Sequence, residues 1–311
     1  MKRTVVTGAG GFVGRAVVKR LACDGWTVRA ATRDGRKIPG ASENVATGDL
    51  MAADLVSLAA GADVVVNCAA RVHVLSRENA EQAERDYRAM NTELPLRLAE
   101  AARAAGAQAF VQISSAAAIA SASAPDETVD DGTSPRPASP YGRSKLAADV
   151  ALADLAADDF AVICLRPPAI YGPGVGAWFG LYNKAARLGL PMPLGTIENQ
   201  RSYVFVDNVA DGIVCACKGM VSGAYLLTDS EPISSAELYR RLLALHGRAG
   251  RVWKVPAPLV RMVGRLLLRN RAASLLGDAA FAGHRFAHTF KWQPAVSMHD
   301  ALQKTVQGGI V

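Results

Sequence analysis

No stretch of this sequence stays apolar long enough to cross a bilayer, and the opening MKRTVVTG runs straight into a β-branched strand without an apolar signal core. Neither membrane insertion nor export is therefore expected, and the protein reads as cytoplasmic. Lys and Arg outnumber Asp and Glu to give a net charge of +7. They are scattered rather than gathered into a basic stripe, and no nucleic-acid-binding module is present. The excess suits a small anionic ligand and argues against nucleic acid as a partner. Five cysteines (Cys23, Cys68, Cys164, Cys215 and Cys217) lack the paired spacing of a disulfide framework or metal site, so buried, reduced thiols are expected. No internal repeat appears.

What is present is a regular alternation. The 311 residues suffice for one large or two closely joined domains, and half of them are hydrophobic. RTVVT, TVRAA, DVVVNCAA, AFVQISS and FAVICLR are short, continuously apolar runs. Between them lie helical patterns: DLVSLAAG, about 78–105, and 140–157. Strands apolar on both faces, alternating with helices, predict an α/β fold with a doubly wound parallel sheet. After about residue 167 the elements become shorter and richer in turn formers. SSAELYRRLLALHG there predicts a helix capped by Ser234 and Glu237. PAPLVRMVGRLLLRNRAASLL predicts a packed helix rather than one docked on a membrane surface.

Between the first strand and first helix lies VTGAGGFVG, in which Gly8, Gly11 and Gly14 are spaced T-G-x-x-G-x-x-G. The first glycine permits a sharp turn off the strand. The second lets backbone approach a pyrophosphate, and the third lets the helix close on the sheet. Free N–H groups at the helix start, around Phe12 and Val13, then face the phosphates. This predicts dinucleotide binding. The end of the second strand lacks the acid that would bind an adenosine ribose diol and carries Thr32 and Arg33 instead. Arg33 has three open readings, pairing with a 2′-phosphate, stacking on adenine or standing as a solvated loop arginine, so NAD and NADP both remain candidates. Asp49 and Leu50, in GDL after the third strand, fall beside the adenine.

In SPYGRSKLAAD, Tyr141 and Lys145 lie one helical turn apart. The spacing alone says little. Taken with TGAGGFVG, GDL and AFVQISS in this order, the chain resembles the extended short-chain dehydrogenase/reductase family, in its nucleotide-sugar epimerase/dehydratase branch, from residue 3 to about 300. The resemblance implies a Rossmann domain over 1–167 with sheet contributions from about 202–228, and a smaller substrate-binding lobe over 168–311. It assigns Tyr141, Lys145 and Ser115 as catalytic, with Ser114 as the fallback serine. Ala69, Ala70, Asn91 and Pro168 join the cofactor contacts, together with Tyr141 and Lys145. Arg201 would bind sugar-nucleotide phosphates, and Leu194, in MPLG, would lie near the base. A homodimer through helices near 91–105 and 141–155 is also implied.

A free tyrosine titrates near 10. The expectation is that the Lys145 ammonium and a cationic nicotinamide favour phenolate, letting Tyr141 take the proton of a sugar 4-hydroxyl while hydride leaves C4. Return of hydride to the other face of the 4-ketosugar would make a 4-epimerase of a UDP- or dTDP-hexose. Supply of the ketone and reduced cofactor from solution would make a 4-ketoreductase. A non-catalytic NADP-binding sensor of the same fold would typically have lost the tyrosine or lysine. Ala116 and Ala117 follow Ser115 where dehydratases carry Asp-Glu, which argues against elimination of water. Trp178, Phe179, Tyr182 and Tyr203 are expected in the lobe core, with pocket lining as the alternative. His73 is expected on the surface or packed, and His284 and His288 lack a third metal ligand nearby.

Overall fold

A computed structural model describes residues 2–72, 79–229, 231–250, 252–268 and 276–308. Its main sheet comprises β1 (Arg3–Thr7), β2 (Thr27–Thr32), β3 (Glu43–Ala46), β4 (Val64–Asn67), β5 (Ala109–Ile113), β6 (Ala161–Arg166) and β9 (Gly223–Leu226). Their order is β3-β2-β1-β4-β5-β6-β9, parallel throughout. Consecutive strand residues enter opposite cores: Val5 and Val6, Val65 and Val66, Phe110 and Val111, Val162 and Ile163. This two-sided burial is why the strands read as unbroken apolar runs. Helices α1 (Phe12–Cys23) and α7 (Val206–Gly219) cover one face. Helices α2 (Leu55–Ala59), α4 (Leu94–Ala104) and α5 (Pro140–Ala153) cover the other. Strand order reverses between β1 and β4, so a crevice opens at their carboxyl ends, the place where doubly wound sheets bind ligands.

The helix expected over 78–105 is interrupted. α3 (Ala80–Arg88) passes into a π-helical turn, Ala89–Glu93, before α4 begins. α5 ends at Ala153, short of the expected 157. In the lobe, β7 (Ala169–Tyr171) pairs in parallel with β8 (Tyr203–Phe205), apart from the main sheet. Helices α6 (Ala177–Arg187) and α8 (Ser235–Leu245) and a last helix, Met298–Gln307, contribute to its core. Of the stretch 202–228, β9 joins the main sheet, α7 lies against it, and Tyr203–Phe205 stays in the lobe. Of the cap expected for α8 only the serine half forms, with the Ser234 Oγ accepting from Glu237 N at 3.0 Å. The Glu237 carboxylate binds Arg241 at 2.9 Å.

Phe179, Tyr182 and Tyr203 are buried in the lobe core. The Tyr171 and Phe179 rings stack at 5.3 Å, and Tyr182 meets Tyr239 edge-on at 5.8 Å. His73 and the Trp178 side chain lie outside the described residues. The cysteines are free, but burial is uneven: Cys164 and Cys217 are buried, Cys68 and Cys215 half-buried, and Cys23, at the end of α1, is exposed, contrary to expectation. Among the described residues, no helix is long and apolar enough to cross a membrane.

Candidate active site

The glycine loop occupies the crevice at the switch point. Gly8 has φ +65°, and a β-carbon there would lie 2.6 Å from Ala69 N. A β-carbon on Gly14 would lie 2.2 Å from Gly8 O. No side chain fits at either position, so the loop, α1 and the β4 exit are drawn into contact. The N-terminus of α1 has Gly11 as its cap, no capping side chain and no acid in its first turn. Its N–H groups are free to receive a pyrophosphate. Phe12 packs toward the lobe core and Val13 toward the sheet core. At the adenosine end, Gly48 N donates to Arg33 O at 3.0 Å, which brings exposed Arg33 beside exposed Asp49, with half-buried Leu50 next in the chain. Ala69 and Ala70 are half-buried beyond β4. These residues fit a dinucleotide.

One layer of this site escaped sequence reasoning. Thr7 and Asn67 end β1 and β4, and Gln112 lies in register with them one residue from the end of β5. Thr7 Oγ1 donates to Asn67 Oδ1 at 2.6 Å, and Asn67 Nδ2 donates to Gln112 Oε1 at 2.8 Å. Asn67 Oδ1 also accepts from Ala69 N at 3.0 Å. The ladder is fully buried and fixes the loop carrying Ala69. Each residue alone reads as a polar interruption of an apolar strand, and their adjacency depends on register.

Tyr141 and Lys145 lie on α5, whose first turn is capped by Ser139, its Oγ accepting from Gly142 N at 3.0 Å. A β-carbon on Gly142 would stand 2.4 Å from Ala117 O. The glycine therefore lets α5 close on the segment that bears Ser115. Ser115 hydrogen-bonds Tyr141, and its Oγ also accepts from Ala117 N at 3.2 Å. Gly142→Ala is expected to push these apart and lower turnover tenfold or more with a smaller loss of stability, checked by kcat against thermal midpoint.

Lys145 is 1% exposed. Its Nζ donates to Ile113 O at 2.8 Å and lies 6.0 Å from the Tyr141 ring centroid. Burial pushes its pKa down to about 8, partly offset by Asp149. The expected effect on the phenol is not what this arrangement produces. Burial pushes the Tyr141 phenol up, and the Ser115 hydrogen bond only partly opposes this. In the protein alone the tyrosine is therefore a protonated phenol.

Asn91, in the π turn, accepts from Arg71 N at 2.9 Å and donates to Arg71 O at 3.0 Å and Ser144 Oγ at 3.2 Å. Its amide thus joins the β4 exit loop to α5 beside Lys145. A π turn at such a position recurs at functional sites.

Ser114 is not a substitute for Ser115. It is buried, and its Oγ donates to Asp149 Oδ2 at 2.9 Å. Asp149, also buried, binds Arg166 Nε at 2.8 Å. Burial raises the Asp149 pKa, and Arg166 opposes that rise. This Ser114–Asp149–Arg166 cluster underlies Lys145 and was absent from the sequence reading, although Asp149 follows Lys145 by one helical turn.

On the lobe side, Pro168 is half-buried after β6. Arg201 is half-buried; its Nη1 donates to Gly277 O at 2.8 Å, and its backbone pairs with Ile233. Leu194, expected at the nucleotide base, is instead buried in the lobe core, where its apolar side chain packs with Ile197 and Tyr182 as neighbours in the cluster. Among the described residues no group of three or more His, Cys, Asp or Glu is placed to hold a metal.

Comparison with known proteins agrees with this geometry. The family model described as the NAD dependent epimerase/dehydratase family matches residues 4–225. A UDP-glucose 4-epimerase of Vibrio cholerae is 31% identical, over 98% of this chain and 95% of that relative. A ceramide reductase of Caulobacter vibrioides is 32% identical over 84% of this chain and 76% of its own length. Among solved structures, MoeE5 in complex with UDP-glucose and NAD superimposes with a TM-score of 0.77 at 22% identity, covering 98% of both chains. The chain belongs to the NAD-dependent epimerase/dehydratase family and is an NAD(P)-dependent enzyme of the extended short-chain dehydrogenase/reductase type.

Proposed function

We propose that the protein is an NAD(P)-dependent nucleotide-sugar 4-epimerase, acting at C4 of a UDP- or dTDP-hexose through a 4-keto intermediate. The observation that carries this reading is the convergence of Ser115, Tyr141 and Lys145, with Lys145 near Cys68, whose backbone lies against Gly8 of the glycine loop. The relative named UDP-glucose 4-epimerase supports the choice of substrate class. When bound, the nicotinamide supplies the hydride acceptor and donor. Tyr141 takes the proton of the 4-hydroxyl as the C4–H bond breaks and returns it when that bond is remade. Ser115 holds the same oxygen throughout. Lys145 holds the nicotinamide ribose. Inversion follows when the ketone presents its other face. Ala116 and Ala117 bring no acid or base to the sugar, so water is not eliminated.

Incubation with UDP- and dTDP-hexoses and their 4-keto derivatives, with and without NADPH, tests this by NMR. Epimer formed without added reductant is the expected result. No inversion of any donor under either condition would refute it. Arg201→Ala should raise the substrate KM about tenfold or more, the value of a charge-assisted hydrogen bond, while leaving cofactor affinity nearly unchanged. Equal losses would count against a diphosphate contact. A homodimer through α4 and α5 belongs to the same proposal; Val150 is exposed on α5, and sedimentation as a monomer would reject it.

A second reading, 4-ketoreductase, is favoured by the end of β2. Arg33, Arg36 and Lys37 are exposed there without the ribose-binding acid, and Arg36 pairs with Asp34 at 2.9 Å. Such a basic end suits a 2′-phosphate and hence a dinucleotide exchanged at each turnover. Arg33→Ala is expected to weaken NADP binding about tenfold or more and NAD binding little, read by titration calorimetry. Equal affinity for both dinucleotides in the wild type would remove this support.

A further inference from the structure

The lobe carries a surface that the chemistry at C4 leaves unexplained. Helix α9 (Ala257–Leu268) buries Val260 in the lobe core but leaves Leu259, Met262 and Leu266 46%, 62% and 78% exposed. Within the packed helix expected from sequence, Val260 is thus packed while these three side chains are not, and residues 269–275 lie outside the described residues. Positions 259, 262 and 266 follow helical spacing and share one face. Trp253, 52% exposed, lies just before the helix. Its backbone is anchored, N donating to Met192 O and O accepting from Gly195 N, both at 2.9 Å. Exposed Lys254 follows it.

The sequence on either side of this helix is one-signed in charge. From Leu238 to Gly277 the sequence contains no Asp or Glu and nine Lys or Arg. Arg240 and Arg241 are answered by Glu237, at 3.5 and 2.9 Å. Seven more cations lie between Arg248 and Arg271 without an acid in the run. The segment that pairs with Trp253, residues 192–198, brings a single carboxylate, Glu198.

We propose that this face docks the protein on an anionic lipid bilayer, with α9 lying in the interface. Projecting apolar side chains, a tryptophan and a sequence run rich in cations and lacking acids are the features of an interfacial helix. A second copy of the chain is the poorer occupant, because two faces of the same sign would repel. The twelve-residue helix spans about 18 Å at 1.5 Å per residue, too little to cross a core about 30 Å thick. It rests on the surface and turns the lobe toward it. This inference is independent of which sugar is processed.

The test is co-sedimentation of the full chain with vesicles of phosphatidylcholine alone or mixed in equal parts with phosphatidylglycerol. Binding to the anionic vesicles should exceed binding to the neutral ones about tenfold or more and fall as salt screens the cations. Met262→Glu with Leu266→Glu should reduce that binding by a similar factor while circular dichroism and cofactor affinity stay unchanged. Trp fluorescence should shift to the blue on binding, and the shift should vanish in Trp253→Phe. Failure of the wild type to sediment with anionic vesicles would overturn the proposal. So would undiminished binding of the double variant, or a dimer in solution that the double variant converts to monomer.

Discussion

Tyr141→Phe is expected to lower turnover by roughly 10²–10⁴-fold, the range for removal of a positioned acid or base. Dinucleotide affinity should change little. In the proposed mechanism the phenol oxygen exchanges a proton with the sugar, whereas the glycine loop and the N-terminus of α1, proposed to hold the pyrophosphate, stay intact. The same pair of proteins measures the state of the phenol. A difference titration of phenolate absorbance, wild type minus variant, should place Tyr141 above 10 in the free protein, because burial raises it. With oxidised dinucleotide added, a cationic ring enters the site and the midpoint should fall. Turnover in the oxidising direction then rises with pH through the lowered midpoint. A Tyr141 that titrates at or below its ordinary value in the free protein would show that Lys145 does the work assigned here to the bound cofactor.

The largest loss of stability is expected at Asp149. Asp149→Ala leaves the buried Arg166 guanidinium without its 2.8 Å partner and the Ser114 hydroxyl without its acceptor. Removing one member of a buried pair costs about 3–5 kcal/mol, on the order of 10 °C in thermal midpoint for a chain of this size. Replacing both members, Asp149→Leu with Arg166→Met, should recover much of that loss, since the uncompensated charge is gone. A second readout separates packing from function. Asp149 raises the pKa of Lys145 against the effect of burial. Its loss moves the midpoint of the lysine further below about 8, so the amine is neutral over more of the physiological range. The double variant should therefore be stable but show a pH–rate profile shifted to lower pH. A stable double variant with an unshifted profile would leave Asp149 a structural role alone.

The strands, the glycine loop and the Tyr141–Lys145 pair were legible because each is a local pattern. Strands buried on both faces repeat apolar residues without a break, and a turn that no β-carbon can enter demands glycine at Gly8 and Gly14. β3 was harder, because ENVA forms the sheet edge and is only partly buried. The choice between Ser114 and Ser115 depended on strand alternation. Ser114 has the parity of Phe110, whose side chain enters the core under α4 and α5, so its hydroxyl meets Asp149 on α5. Ser115 caps the short turn Ala116–Ala118 beyond the strand and meets Tyr141 at the start of α5.

What stayed hidden was non-local. The ladder of Thr7, Asn67 and Gln112 exists only once β1, β4 and β5 are in register. Gly142 matters only when α5 meets Ala117 O. Leu194 looked like a base contact by position, but hydrophobic burial placed it in the lobe core. For the tyrosine, the nearby ammonium was counted and the cost of burying a phenolate, which raises the phenol in the protein alone, was left out.

The most direct measurement is the fate of a deuterium placed at C4 of UDP- and dTDP-hexoses. The dinucleotide-loaded protein is mixed with each labelled sugar, quenched within one turnover, and the cofactor is recovered for mass spectrometry. For at least one sugar the wild type should yield reduced cofactor carrying the label, and Tyr141→Phe should yield none. Unlabelled cofactor from the wild type with every donor, despite measured binding of both sugar and dinucleotide, would contradict the account.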